Sequence, residues 1–573
     1  MWQQVYDPLN NSFLSAAFAA LPVIVMLGGL GFFHMKAHLA AIAGLVVALF
    51  VAIVIFGMPS SMALKTALTG GLFGLLPIGW IILNIIFLYK LTSEAGLFKI
   101  LQESIASIST DRRIQLLLVA FSFGAFFEGA AGFGTPVAVT GAVLIGLGFS
   151  PLAASGLSLI ANTAPVAYGA LGTPILTLAK VTGLDAFELG AMVGRQLPFF
   201  SVIVPFWLIW AFVGFKGMMQ IWPAILVAGV FFAVPQYLVS NFIGPELVDV
   251  IAAIASMAAL TLFLKMWQPK NVWTSVTREG ETISAAQAAK GQVHHGYTTA
   301  EVTRAWTPWV ILSLVVFLWG TPTVKNFLNG EYPNPEKGKP PITTSYNAVT
   351  KIDFLIPGVN EQIQRMPPVA KKNEKPEKVT FTLNWLSTTG TGILLAALIA
   401  GIVMGVPLGK MLSTYGRTIY AIRYSLLTIV AMLALGFVTR YSGVDVTLGL
   451  AFAATGAFYP FFGTLLGWLG VALTGSDTAS NVLFGGLQKT TSEQLGLSPI
   501  LMCAANSSGG VMGKMIDAQS IVVASTATNW FGHEGEILRY VFFHSVALAC
   551  LMGLLVTLQA YVAPFTYMVI WPK

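Results

Sequence analysis

The chain has 573 residues, of which 56% are hydrophobic and only 10% are charged, and its mean hydropathy is +0.77. Soluble domains carry about 25% charged residues, so this composition excludes an ordinary soluble protein. The net charge of +7 is too modest for a nucleic-acid surface, and the two cysteines, Cys503 and Cys550, cannot form a disulfide framework or a metal-ligand set.

The apolar runs predict where the chain crosses a membrane. A membrane helix needs about 18 to 20 apolar residues, and runs of this length recur along the whole chain. We therefore predict an all-α, multi-pass membrane protein with about 12 transmembrane helices. Uninterrupted spans are predicted at 13–33, 37–57, 67–91, 190–214, 219–241, 247–266, 388–411, 420–440 and 537–565.

The predicted organisation has an N-terminal transmembrane half at 1–266 and a C-terminal half at 386–573. Three segments connect the halves: a cytoplasmic loop, a linking transmembrane helix and an extracytoplasmic loop, at 267–305, 306–325 and 326–385. Each half also contains an interrupted apolar segment followed by a broken helix, at 114–148 and 151–179 in the first half and at 446–495 and 498–525 in the second.

Lysines and arginines near the span ends predict the orientation, because basic residues favour the cytoplasmic side. Their distribution is consistent with twelve crossings and both termini outside if segments 114–148 and 446–495 each enter and leave on one side. Segment 114–148 then enters from the cytoplasm and segment 446–495 from outside. This predicts an inverted repeat with two re-entrant hairpins, although Lys65, Lys180 and the basic residues of 326–385 count against it.

The stretch from Phe127 to Ile175 is apolar, yet it contains the carboxylate of Glu128 and many glycines and prolines. Broken helix inside a membrane is tolerated only where protein or a watery cavity covers it. An ionisable residue in such a place indicates a functional site.

A second stretch, from Thr474 to Ile521, repeats this pattern around Asp477. Residues 146–152 match residues 494–500 around a Ser-Pro pair, and Ala161-Asn162-Thr163 matches Ala505-Asn506-Ser507. Paired, interrupted segments in the two halves of a membrane protein indicate a transporter binding site.

Polar side chains near these interruptions are candidate ligands for a small hydroxy-carboxylate. Helix N-termini at hairpin tips attract carboxylates, and breaks are predicted after the two Ser-Pro helices. The candidate substrate-binding residues are Asn162, Thr163, Tyr168, Ser476, Thr478, Asn481, Asn506, Ser507, Ser508 and Lys514. The alternative is that these residues cap or join helices, as Ser, Thr and Asn often do in membranes, and that Tyr168 only packs.

Glu128, Asp477 and Asp517 are candidates for proton coupling, because burial favours the protonated form of a carboxyl group. For Glu128 the alternative is a structural hydrogen bond to hairpin backbone, and for Asp477 it is a helix N-cap. Lys514 and Asp517 are three residues apart and are expected to face each other on one helix. Lys514 is either the counter-charge of the substrate or, as we favour, neutralised by an acid at rest.

The sequence motifs of several other protein classes are absent. Gly509 to Lys514 has three residues between its glycines where a phosphate-binding loop needs four, and no zinc-protease or hydrolase motif occurs. No cofactor and no metal site are expected, and the chain is not predicted to be an enzyme.

Five motifs carry a resemblance: Glu128-Gly-Ala-Ala-Gly-Phe-Gly134, Asn162-Thr-Ala-Pro-Val-Ala167, Thr474-Gly-Ser-Asp-Thr478, Ala504-Ala-Asn506 and Gly513-Lys-Met-Ile516. They resemble the bacterial lactate permease family. The resemblance implies proton-coupled uptake of L-lactate, with D-lactate and glycolate as related substrates, and an ion-transporter-like fold of inverted repeats with hairpins. The chain departs from the expected pattern where Asp517-Ala518 replaces Ser-Pro, which leaves the partner of Lys514 open.

The sequence thus predicts a lactate:proton symporter of the bacterial inner membrane, with a small monocarboxylate, a proton and the lipid bilayer as partners and no nucleic acid. One alternative is the same fold with sodium coupling or another small carboxylate. A second, from another class, is an intramembrane enzyme.

Overall fold

The computed structural model describes the chain except for residues 32, 34, 131, 133, 276–281, 285–296, 333, 335–340, 369–374 and 573. Its described part is mostly helical and contains 11 helices long and apolar enough to cross a membrane, or 12 if the bent pair Pro151–Ala161 and Val166–Ala179 is one span. The predicted all-α architecture with about 12 spans is confirmed. The predicted loops at 267–305 and 326–385 lie partly outside the described residues.

The chain divides into two compact units, each of which combines segments from both ends of the sequence. One unit comprises Met1–Leu88 and Pro308–Ala451, and the other comprises Tyr89–Thr307 and Phe452–Lys573. The chain passes from one unit to the other within the helices Trp80–Glu94, Thr299–Gly320 and Val444–Ala453.

In the first unit, small residues let helices approach closely. A Cβ at Gly74 would lie 2.9 Å from the Cα of Val430 on the long helix Leu408–Ser442, so only glycine permits this approach. At Leu76 the backbone leaves the helical conformation, one residue before Pro77, which has no N–H to donate. Further helices of this unit are Ser12–Gly31, Ala37–Phe50, Val51–Ile55, Ser60–Phe73, Gly74–Gly79, Pro322–Asn329, Asn347–Thr350 and Thr389–Val403.

Short strands order parts of the 326–385 loop in this unit. Ile352–Leu355 pairs antiparallel with Thr380–Leu383, with Asp353 opposite Thr382. The remaining pairs are Glu331–Tyr332 with Ile342–Thr343, antiparallel, and Trp2–Gln3 with Ile363–Gln364, parallel.

The second unit contains both interrupted apolar segments. Its helices include α1 (Arg112–Ala130), α2 (Thr135–Gly146), α3 (Pro151–Ala161), α4 (Gly169–Thr182), α5 (Val248–Met266), α6 (Tyr459–Thr474), α7 (Asp477–Gln494), α8 (Pro499–Gly513) and α9 (Ala518–Ala527). It also contains the helices Leu97–Ile108, Ala186–Val193, Leu197–Met219, Trp222–Phe242 and Glu534–Tyr561. Short 3₁₀ turns lie at Val166–Tyr168, Gly456–Phe458 and Phe565–Met568, and the strands Asn271–Trp273 and Thr282–Ser284 pair antiparallel.

The matched Ser-Pro pairs begin matched helices. Ser150 and Ser498 are the N-caps of α3 and α8, and each hydroxyl accepts a hydrogen bond at 3.3 Å from the backbone N–H three residues later. Proline follows each serine at the first helical position, where its missing N–H costs nothing. Helix α3 ends at Ala161 with Asn162 as its C-cap, so the predicted break at Asn162 is confirmed.

The predicted break at Asn506 is wrong, because α8 continues through Asn506, Ser507 and Ser508 to Gly513. The glycines of this stretch serve close packing instead. A Cβ at Gly513 would lie 3.2 Å from the backbone nitrogen of Ala472 on α6. The break comes later, between Gly513 and Ala518, so Lys514 and Asp517 do not share one helix as we expected.

Candidate functional site

Glu128 lies on α1, two residues before that helix ends, and is 4% exposed. Its Oε2 accepts a hydrogen bond of 3.1 Å from Nδ2 of Asn162, the C-cap of α3. Its Oε1 faces two glycines, since a Cβ at Gly169 would lie 2.5 Å from it and a Cβ at Gly132 would lie 3.4 Å from it. The first helix break and the end of α1 therefore meet at this carboxyl group.

Asp477 is the first residue of α7 and is buried. Its Oδ2 accepts hydrogen bonds from the hydroxyl of Ser507 and, at 3.4 Å, from Nδ2 of Asn481. The N-cap is Ser476, whose hydroxyl accepts from the Ala479 N–H at 3.3 Å, so the N-cap alternative for Asp477 is wrong. Its position in the first turn still suits the positive end of the helix dipole.

A chain of amide hydrogen bonds joins α7 to α8. Asn506 donates through Nδ2 to Oδ1 of Asn481 at 2.9 Å and accepts through Oδ1 from Gln488 at 3.0 Å. Asn481 also donates to the backbone oxygen of Pro174 on α4 at 3.2 Å. The buried side chain of Gln488, which accepts from the Tyr459 hydroxyl at 2.8 Å, was not predicted. Its spacing of seven residues from Asn481, two turns along the same helix face, could have indicated it.

Lys514 is a buried cation at the second helix break. Its Nζ donates to the backbone oxygen of Gly475 at 2.6 Å and lies 3.5 Å from Oδ2 of Asp517. Asp517 is the N-cap of α9 and accepts at Oδ1 from the Ser520 N–H at 2.7 Å. The favoured ion pair is therefore present. Ser and Asp are both good N-caps, which explains why Asp can stand at 517 where the resemblance leads one to expect Ser.

Three other candidates have different surroundings. The hydroxyl of Tyr168 donates to the backbone oxygen of Gly190 at 2.7 Å, so its donor serves packing within the unit. The hydroxyl of Thr163 donates to the backbone oxygen of Ile160 at the end of α3. Thr478 lies half-buried in the first turn of α7.

Several buried polar atoms near these breaks have no hydrogen-bond partner among the described residues. Most buried polar groups in folded proteins are paired, so such atoms mark places where a ligand or a proton can bind. They include Thr135 Oγ1, Asn162 Oδ1, Asp249 Oδ1 and Oδ2, Asp477 Oδ1, Ser508 Oγ and Ser520 Oγ.

Asp249, near the start of α5, was missed by the sequence analysis. It is 1% exposed, and it is close enough to Glu128 for the two carboxyl groups to interact electrostatically. The available signal was an acidic residue inside the predicted span 247–266, which by itself indicates function in a membrane helix.

The charges of this cluster do not balance. Glu128 interacts electrostatically with both Lys514 and Asp517, and Asp477 interacts with both Lys514 and Glu128. This group of five side chains thus contains four buried carboxyl groups, Asp249 included, and one ammonium, that of Lys514, which acts on Glu128, Asp477 and Asp517. Removing ionised groups from water costs several kcal/mol each unless they are compensated, so the cluster is suited to bind protons or other cations.

A multi-pass membrane protein whose broken helices gather carboxyl, amide and hydroxyl groups around a buried ammonium has the features of a secondary transporter. The sequence matches the family "L-lactate permease" over residues 15–563, and the chain belongs to that family.

Bacterial relatives match along nearly the whole chain. It is 46% identical to "Glycolate permease GlcA" of Escherichia coli K12 over 572 residues, 99% of each chain. It is 45% identical to "L-lactate permease" of the same organism over 563 residues, 98% of each chain. It is 44% identical to "L-lactate permease" of Bacillus subtilis 168 over 572 residues, 99% of this chain and 100% of the relative. The chain is therefore a transporter rather than an enzyme, as predicted.

Proposed function

We propose that this protein is a symporter that couples the inward movement of protons to uptake of L-lactate, and also of D-lactate and glycolate, across the bacterial inner membrane. The observation that carries the proposal is the excess of buried carboxyl groups over the single buried ammonium of Lys514. An anion that enters against a negative interior needs a co-transported cation, and a buried carboxyl group can carry a proton.

The substrate site is assigned to Lys514 and to buried atoms nearby that lack partners among the described residues. Lys514 supplies the positive charge for the substrate carboxylate, and the hydroxyl of Ser508 donates to it. The free Oδ1 of Asn162 accepts from the substrate 2-hydroxyl group. Lactate and glycolate share this carboxylate and hydroxyl and differ by a methyl group, which alone is worth only ~1–3 kcal/mol of discrimination.

The remaining polar candidates hold these groups in place. Asn481, Asn506 and Ser507 position the carboxyl group of Asp477 through their hydrogen bonds. Ser476 fixes the start of α7, and Thr478 lies in its first turn. Thr163 and Tyr168 hold the end of α3 and the following turn.

The proton-coupling residues are Glu128, Asp477 and Asp517. Each is buried and lies near Lys514, so binding of a substrate carboxylate to Lys514 changes the charge that these acids experience. Protonation of an acid and binding of the anion then favour each other, which is the linkage that symport requires.

We also propose that segments 114–148 and 446–495 are re-entrant hairpins in an inverted repeat, with both termini extracytoplasmic. The supporting features are the interruption between Ala130 and Thr135, the turn at Gly475 and the matched Ser-Pro starts of α3 and α8. Cysteine accessibility from each side of the membrane tests this topology, and labelling of residues 1–11 from the cytoplasm alone would reject it.

The test of coupling uses the purified full chain in proteoliposomes. An inwardly directed proton gradient without sodium should drive accumulation of labelled L-lactate, and unlabelled glycolate should compete. Glu128→Gln and Asp477→Asn should abolish this accumulation while lactate exchange persists in part. Uptake that requires sodium and ignores pH would overturn proton coupling, and full accumulation in both variants would remove these acids from it.

A further inference from the structure

Asp249 is an acid for which the proposed substrate site has no use. Its helix α5 packs against α1 at Gly129, where a Cβ would lie 2.7 Å from the Cβ of Asp249 and 3.0 Å from the backbone nitrogen of Val250. Because Gly129 directly follows Glu128, this close approach brings the two acids to one place. Neither carboxyl oxygen of Asp249 has a hydrogen-bond partner among the described residues.

A strained turn lies between Glu128 and the segment that precedes α5. Ala170 and Leu171 adopt left-handed conformations with φ of 47° and 55°, and Gly172 follows with φ of 73°. A Cβ at Gly172 would lie 2.7 Å from the backbone oxygen of Pro245, just before α5, while Gly169 contacts Glu128. Strained backbone persists where the surrounding structure requires it and is concentrated at functional sites.

The charged and titratable neighbours of Asp249 come from different elements. Glu128 on α1 faces it, and the Tyr168 hydroxyl lies within electrostatic range. Glu246, three residues earlier, is exposed. Lys514 and Asp517 act on Glu128. The ammonium is thus placed to compensate Glu128 and not Asp249.

The cation that suits this pair is the proton. Metal cations such as Ca²⁺ and Mg²⁺ take six or more oxygen ligands, and within the described ranges no group of three or more His, Cys, Asp or Glu side chains could hold a metal ion. A single proton needs only one carboxyl oxygen, and a second carboxyl group beside it can accept the resulting hydrogen bond.

We propose that Asp249 and Glu128 form a proton-binding pair and that Asp249 carries the transported proton. A proton from water on the outer side binds a carboxyl oxygen of Asp249 when the site opens there, and the same O–H bond breaks to release the proton to water inside. This inference rests on the proposed proton coupling, and it adds to that proposal an acid whose loss uncouples transport without removing a substrate ligand.

The test compares Asp249→Asn with Glu246→Gln, a matched control that neutralises an exposed acid three residues away. In proteoliposomes, proton-driven lactate accumulation by Asp249→Asn should be about tenfold lower than that of the wild type. Lactate exchange with the same pH on both sides of the membrane should persist and should no longer depend on pH. Glu246→Gln should behave as the wild type in both assays. Because a neutral Asn replaces a carboxyl group of the same shape, thermal unfolding in detergent should be unchanged at neutral pH.

The other possible results each contradict one part of the proposal. Wild-type protein without proton-driven uptake overturns the proposed coupling itself. Proton-driven uptake in the wild type and equally in Asp249→Asn overturns only the role of Asp249. A sodium gradient that drives the wild type but not the variant assigns the pair to sodium instead of the proton. If neither Asp249→Asn nor Asp249→Ser reaches the membrane folded, Asp249 has a structural role and the proposal falls.

Discussion

Replacing Lys514 tests whether its ammonium stabilises the fold, binds substrate, or does both. In Lys514→Met the ammonium is lost from a site where Nζ lies 2.6 Å from the Gly475 oxygen and 3.5 Å from Oδ2 of Asp517. Both side chains are buried, at 4% and 0% exposure. Removing one partner of a buried ion pair costs about 3–5 kcal/mol, because the other charge is left uncompensated. For a unit as large as the one that contains Lys514, each kcal/mol of lost stability lowers the Tm by about 1.4 °C. The Tm should therefore fall by about 4–7 °C.

The double variant Lys514→Met/Asp517→Asn separates the two roles. Asn is as good an N-cap as Asp, so α9 keeps its cap at residue 517 while the uncompensated charge disappears. The free energy of unfolding should return to within about 1–3 kcal/mol of the wild-type value. The remaining loss comes from the Gly475 oxygen, which has lost its hydrogen-bond donor. Lactate binding should stay lost if Lys514 holds the substrate carboxylate.

The assays are thermal unfolding of the purified variants in detergent and lactate exchange in proteoliposomes. A double variant that regains both stability and exchange would show that Lys514 only neutralises Asp517. A single variant as stable and as active as the wild type would refute the reasoning altogether.

Three further substitutions address the hydrogen bonds around the site. Ser508→Ala removes a hydroxyl without a partner among the described residues. The free energy of unfolding should therefore change by less than ~0.5 kcal/mol, while the KM for lactate rises. Gln488→Leu leaves buried groups of Asn506 and Tyr459 without their partner, and calorimetry should show a loss of about 1–3 kcal/mol. Gly169→Ala places a methyl group 2.5 Å from Oε1 of Glu128 and should abolish proton-driven accumulation of lactate. A variant that accumulates as much lactate as the wild type would disprove this expectation.

Local chemistry explains what could be predicted from the sequence. The starts of α3 and α8 follow from a serine that accepts a backbone N–H and a proline that needs no donor, and both signals lie within four residues. Glu128 and Asn162 were both predicted as site residues because each interrupts an apolar run, and the structure joins them by a hydrogen bond. These features depend little on what packs against them.

The wrong or missing predictions concern features that depend on how the helices pack against one another. The run around Asn506 has the small residues of a break, but its glycines admit the backbone of α6 and the helix continues. Asp249 and Gln488 lie in helices that have no interruption to mark them as functional. Only the approach of α1 to α5, and of α7 to α8, shows that they face Glu128 and Asn506.

The contact between α6 and α8 also constrains how the protein can move. The glycines of both helices face the partner backbone so closely that added carbon atoms would collide, as at Gly513 with Trp468 and at Gly467 with Asn506. A sliding or rolling motion would drive neighbouring side chains into these narrow gaps. We therefore expect the pair to move as one rigid block, and we expect the changes that open the proposed site to either side of the bilayer to occur at the borders of this block.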